Sequence, residues 1–131
     1  MQVGRTVLLA LVAVIALFMA TNAALWLFVP ERAAKVLEMP LLTGTGLSSQ
    51  MDIGALFLGA ATFTVMALIT RERPWFIAGA VLILGAAAYR TNAYLFHGAA
   101  FLTHMVAVEI VIGAILITAS RVLARGAGPN R

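Results

Sequence analysis

Residues 75–96 read WFIAGAVLILGAAAYRTNAYLF, and residues 100–120 read AFLTHMVAVEIVIGAILITAS. Each run is close to the ~20 residues that a helix needs to cross a hydrocarbon core of ~30 Å. Each carries a single formal charge, Arg90 in one and Glu109 in the other. Pro74 stands just ahead of the first run, where its missing N–H costs nothing, and Gly98 between the two suits a left-handed helix stop. The pair reads as a transmembrane hairpin. Two further runs of the same kind lie upstream, at about 7–29 and 50–70. The fold expected is therefore all-α, a four-helix transmembrane bundle running up-down-up-down, formed by residues 1–131 as one membrane domain.

Composition leads to the same solvent. Of 131 residues, 63% are hydrophobic and 11% charged, whereas a soluble domain carries about 25% charged residues. Too few charges remain to cover a water-facing surface, and the mean hydropathy of +1.02 agrees. The pI near 10.8 rests on nine Lys and Arg against five Asp and Glu. The basic residues are spread along the chain and follow membrane topology, so no nucleic-acid partner is expected. There is no cysteine, which excludes disulfides, thiolate nucleophiles and Cys-ligated metals. The first run has a basic start at Arg5 and a poor cleavage site at Thr21-Asn22-Ala23. It continues apolar through Trp26 to Val29, too long for a signal core.

Basic residues orient the bundle. With both termini inside, Arg5, Arg71, Arg73, Arg121, Arg125 and Arg131 are cytoplasmic, against Arg32, Lys35 and Arg90 on the other side. That excess favours N-in and C-in, with Trp26 near the outer interface and Trp75 at the inner one. Residues of about 30–39 read as a short surface helix with Glu31 and Lys35 spaced i,i+4, ended by Pro40. Thr43-Gly44-Thr45-Gly46 reads as a flexible link, and Ser49 with Asp52 has the spacing of a capping box ahead of the second span. Thr21-Asn22-Ala23-Ala24-Leu25 recurs as Thr91-Asn92-Ala93-Tyr94-Leu95, either an echo of duplication or chance.

The polar residues within the spans carry whatever chemistry there is. A charge at a helix centre costs about 2.5–3.5 kcal/mol on insertion scales, so it needs a partner or a purpose. By helical rise Glu109 lies ~14 Å below the outer boundary, and Arg90 ~22 Å above the inner one. Helical side chains lean toward their own N-terminus, so Arg90 and Glu109 lean toward each other and should form an ion pair. That pair either fixes the register of the hairpin or makes Glu109 a proton carrier or acid/base that Arg90 tunes. The candidate ligand-binding residues are Asn22, Asp52, Arg90, Asn92, His104 and Glu109, with Glu109 and Arg90 the catalytic pair if there is one. Asn22 and Asn92 should bond to backbone or to each other as polar glue. His97 and His104 share a face only if the last helix begins early, and no metal or cofactor is expected. Ala55 with Gly59, and Ala86 with Arg90, read as packing faces. Phe18, Met19, Phe57, Phe63 and Met66 read as lipid-facing or core residues rather than a cofactor box.

The segments Phe28-Val29-Pro30-Glu31, Met39-Pro40-Leu41-Leu42, Gly44-Thr45-Gly46 and Ser48-Ser49-Gln50, with Arg90 and Glu109, resemble small bacterial four-helix membrane proteins, loosely the DoxX-like group. The resemblance implies the four-helix topology, and the location expected is a bacterial cytoplasmic (inner) membrane. It implies no activity and transfers no catalytic residue. The leading expectation for function is a non-catalytic accessory or scaffold subunit, working among membrane lipids as a homo-oligomer or in a larger membrane complex. One alternative is an outer-leaflet pocket that binds or transforms a lipophile such as a lipid or quinone. The other is proton-coupled transport by an oligomer through Glu109.

Overall fold

The computed structural model describes residues 1–126 and is helical throughout its regular structure. There are five helices: α1 (Gln2–Phe28), α2 (Pro30–Val36), α3 (Gly44–Thr70), α4 (Arg73–His97) and α5 (Thr103–Val122). All but α2 are long and apolar enough to cross a membrane. The most apolar window of α1 has a mean hydropathy of 2.4 and that of α4 only 1.3, because α4 carries the polar run around Arg90. Between 22% and 33% of each such window is buried within the protein, so most of each span faces outward. Large exposed residues such as Leu17, Leu27, Leu56, Ile69, Val81 and Val111 make sense only with lipid as the solvent. Hydroxyls behave accordingly. Those of Thr21, Thr62, Thr64, Thr91, Thr118 and Ser120 each donate to a carbonyl three or four residues back on their own helix, which leaves no proton unsatisfied in hydrocarbon.

Each long helix packs against two others. α1 lies against α3, α3 against α4, α4 against α5, and α5 closes on α1. Lipid tails are as apolar as leucine, so burial alone does not hold such a bundle together, and close van der Waals fit must. The main core runs through Val12, Ile15, Phe76, Ile83, Leu116 and Leu123. Two glycines set the closest approaches. A Cβ on Gly54 of α3 would stand 2.6 Å from Trp26 Cβ of α1, and one on Gly113 of α5 would collide with the Leu84 side chain of α4. A Cβ cannot rotate out of the way, so at Gly54 a backbone must move. Gly54→Ala is expected to cost about 1–3 kcal/mol, the usual range for overpacking. Gly79→Ala, whose new atom would meet Leu116 at an ordinary 3.4 Å, is expected to be near neutral. Thermal unfolding in nanodiscs should separate the two, and equal melting temperatures would contradict this packing.

Several boundaries differ from those expected. The second long helix begins at Gly44, so Thr43–Gly46 is a helix start and not a flexible link. The reason is Gln50. Its side chain is buried, accepts from Leu42 N at 2.8 Å and donates to Pro40 O at 2.9 Å. The amide satisfies the backbone of the preceding loop and folds it back on the first turns, so the helix extends toward the loop. The Ser49–Asp52 capping box is consequently absent. Ser49 lies inside α3 and donates to Thr45 O, and Asp52 is exposed.

The short helix α2 stops at Val36, not at Pro40. Glu38 N donates to Lys35 O and Met39 N to Ala34 O, the double bond of a Schellman ending, with Glu38 in the left-handed position at φ 54. Ala33 and Ala34 of α2 are fully buried against Trp26, so α2 is packed onto the end of α1. Gly98 is the left-handed stop of α4, at φ 68. The last helix begins only at Thr103, so His97 and His104 belong to different helices. The sequence echo does not extend to environment: Asn22 is buried and Asn92 exposed.

Candidate functional site

Helical spacing gathers one face from each long helix. On α3, Ile53, Phe57 and Ala60 stand at i, i+4 and i+7. On α4, Leu82, Ala86 and Arg90 repeat every four residues. On α5, Met105, Glu109 and Ile112 stand at i, i+4 and i+7, and α1 contributes Phe18, Met19 and Asn22. These faces surround a cavity of about 430 Å³, roofed by Leu37 and Met39 after α2. Volumes of about 300–1,000 Å³ are usual for small-molecule sites, so this one has room for a single-chain or single-ring lipophile.

The Arg90–Glu109 ion pair spans the α4–α5 interface in this wall. Arg90 Nε donates to Glu109 Oε1 at 3.0 Å. The side chains are 32% and 16% exposed, so neither is fully withdrawn from the cavity space. The pair is locally neutral. Arg90 has no neutral form to fall back on, and Glu109 is its only carboxylate within ion-pair distance among the described residues.

Asn22 is 2% exposed and its Nδ2 donates to Phe18 O at 2.9 Å. A carbonyl can only accept, so this bond fixes which end of the amide is which and turns Oδ1 away from the backbone. That oxygen has no hydrogen-bond partner, and neither has Glu109 Oε2. Trp26 Nε1, one turn along α1 from Asn22, is also unpartnered. Leaving a buried polar atom unpaired costs about 1–3 kcal/mol, so two orphaned acceptors on residues lining one cavity are unusual. Both oxygens are shielded from water, but the adjoining walls include Met19 and Met105, whose unbranched side chains re-pack readily.

His104 stands at the rim of the cavity. Its Nε2 lies 3.2 Å from Glu38 Oε1, which joins the segment after α2 to the start of α5. The left-handed conformation of Glu38 costs about 1–2 kcal/mol for a residue with a Cβ, and the Schellman bonds hold it there. Both side chains are more than half exposed, and exposed pairs are worth at most about 1 kcal/mol. His104→Ala should therefore leave equilibrium binding of a cavity ligand within about fivefold. It should quicken ligand release, because the roof loses its tie to α5. Stopped-flow displacement of a fluorescent lipophile measures this, and an unchanged release rate would remove the rim contact from any role in entry.

Of the residues singled out from sequence, the cavity brings together Asn22, Arg90, His104 and Glu109. It does not include Asp52 or Asn92, both of which are exposed. Asn22 bonds to its own helix and not to Asn92. Met19 is a core residue, Phe57 packs on the core and Phe18 is exposed, as expected, and all three also line the apolar wall of the cavity. Their spacing of three or four residues from Asn22 and Ala60 was the available signal. Glu38 had none, since nothing in a loop sequence places its carboxylate beside His104. No group of three metal-ligating side chains occurs among the described residues. No family model, curated protein or solved structure matches the chain.

Proposed function

We propose that this chain is a multi-pass protein of the bacterial cytoplasmic membrane that binds a lipophilic molecule in the cavity beside Arg90 and Glu109. The observation that carries the reading is the cavity itself: apolar on nearly all sides, with a neutral ion pair and two unpartnered acceptors on its lining residues. A bundle packed solid at Glu109 would have left nothing to bind. In this reading the four spans run up-down-up-down with both termini in the cytoplasm, as the excess of basic residues favours. The roof after α2 then lies at the outer side, and the ligand enters from the outer leaflet.

An accessory or scaffold role, in a homo-oligomer or larger complex, would draw on packing faces such as Ala55 with Gly59. Gly59 lies against Leu82 inside the chain and Ala55 is exposed, so that face selects neither reading. Proton transport through Glu109 needs polar groups on the far side of the cavity. Thr64 and Ser120, the buried hydroxyls there, are bonded back to their own helices. The motif likeness to DoxX-like proteins is compatible with all three readings and selects none.

Native mass spectrometry of protein released gently from its own membrane tests the proposal. The expected result is a monomer or small homo-oligomer carrying one reproducible lipophilic mass. Emergence at fixed stoichiometry with larger subunits, and with no such mass, would transfer the assignment to the accessory role.

A further inference from the structure

Resting on the binding reading above, we infer that the cavity takes an uncharged, single-chain lipophile whose polar end is a hydroxyl group. The polar atoms there define the head group. Asn22 Oδ1 and Glu109 Oε2 accept and have no donor, so the ligand must bring a proton. The terminal nitrogens of Arg90 make no hydrogen bond among the described residues, and they can only donate. A hydroxyl both donates and accepts, so one group can give its proton to one of these oxygens and accept from Arg90. Charge is excluded by the ion pair. An anionic head would face the Glu109 carboxylate with the Arg90 charge already neutralised, and a cationic head would meet Arg90 under the same balance. An ester or ether end supplies no proton and leaves both acceptors orphaned. The tail lies along Phe18, Met19, Ile53, Phe57 and Leu82. At about 430 Å³ the space suits one alkyl chain.

The reporter is already present. Trp26 belongs to the same apolar cluster as Leu37, Met39, Ile53 and Phe57, each of which also lines the cavity. The chain has two tryptophans, so Trp75→Phe leaves Trp26 as the sole indole. Bromine quenches indole emission at short range. The experiment titrates this single-tryptophan protein, in nanodiscs, with ω-bromododecanol, its methyl ether and its sulfate ester. The alcohol is expected to quench saturably and to bind about tenfold more tightly than either of the others, the scale of one buried hydrogen bond. Asn22→Leu should reduce that preference to about twofold. Should Asn22→Leu fail to fold, Glu109→Gln, which puts an amide in place of the carboxylate, serves as the second variant, with a smaller alcohol preference expected.

Saturable quenching by the ether or the sulfate equal to that of the alcohol overturns the hydroxyl inference and leaves the cavity a binding site. An alcohol preference that survives both substitutions also overturns it. Non-saturable quenching by all three probes, unchanged when Ala86→Phe fills the space, overturns the binding reading itself.

Discussion

Glu109→Leu is expected to destabilise the protein more than any other single substitution in the cavity wall. It removes the carboxylate that neutralises Arg90 and leaves a guanidinium with no neutral form among Leu82, Ile83 and Ala86. Breaking a buried ion pair from one side typically costs about 3–5 kcal/mol. Arg90 is 32% exposed, and screening through that opening reduces the expected loss to about 2–3 kcal/mol. The reverse change, Arg90→Leu, should cost less. A carboxyl group has a neutral form that takes over once its partner is gone, whereas a guanidinium does not. The double variant Arg90→Leu with Glu109→Leu should recover most of the loss, because well-packed apolar residues replace buried ion pairs at little cost. Thermal unfolding of the four proteins in nanodiscs completes the cycle. If the double variant is no more stable than Glu109→Leu alone, the pair is not what holds α4 to α5 at this level.

Ala86→Phe should abolish ligand binding while leaving the fold intact. Ala86 stands one helical turn before Arg90 and borders the cavity, so a ring there occupies the space beside the ion pair. Filling a cavity usually raises stability or leaves it unchanged, since the void itself costs about 24 cal/mol per Å³. The melting temperature in the absence of ligand should therefore stay level or rise. The lipophilic mass seen with the unaltered protein should fall at least about tenfold in occupancy, as expected when a ligand's apolar contacts are displaced. Loss of the mass together with loss of the fold would be uninformative for Ala86 alone. Ala60→Leu on the facing α3 wall is therefore made in parallel, and it alters the same space from another helix. Retention of the same mass at full occupancy in both variants would place the ligand elsewhere on the protein.

The two results are coupled through geometry. The ion pair holds the α4–α5 wall upright, and the cavity lies against that wall. A ligand that hydrogen-bonds Asn22 or Glu109 should raise the stability of the unaltered protein by mass action and do nothing for Ala86→Phe. The same melting curves therefore read both effects.

Four apolar runs, the Pro74 start, the Gly98 stop and the Arg90–Glu109 pair were legible in the sequence alone. All rest on local rules: chain length against membrane thickness, backbone preferences of proline and glycine, and the N-terminal lean of helical side chains. Those rules hold whatever the neighbouring helices do. The start of α3, the end of α2, the place of Asp52 and the cavity were not legible. Gln50 moves the helix start by bonding to a loop eight and ten residues away. Glu38 holds a left-handed position that is usually glycine's, then meets His104 from a distant helix. Phe18, Met19 and Phe57 look the same in sequence whether they face lipid, core or a void. Which surface an apolar residue meets depends on the rotation of each helix about its axis. That rotation is chosen by fit between side chains on different helices, where Gly54 admits Trp26 and Gly113 admits Leu84. Sequence by itself determined that this chain makes membrane-length helices and that the two charges within its last two spans need each other. Only tertiary packing decided that a space remains beside them, because a void is the volume that no side chain fills.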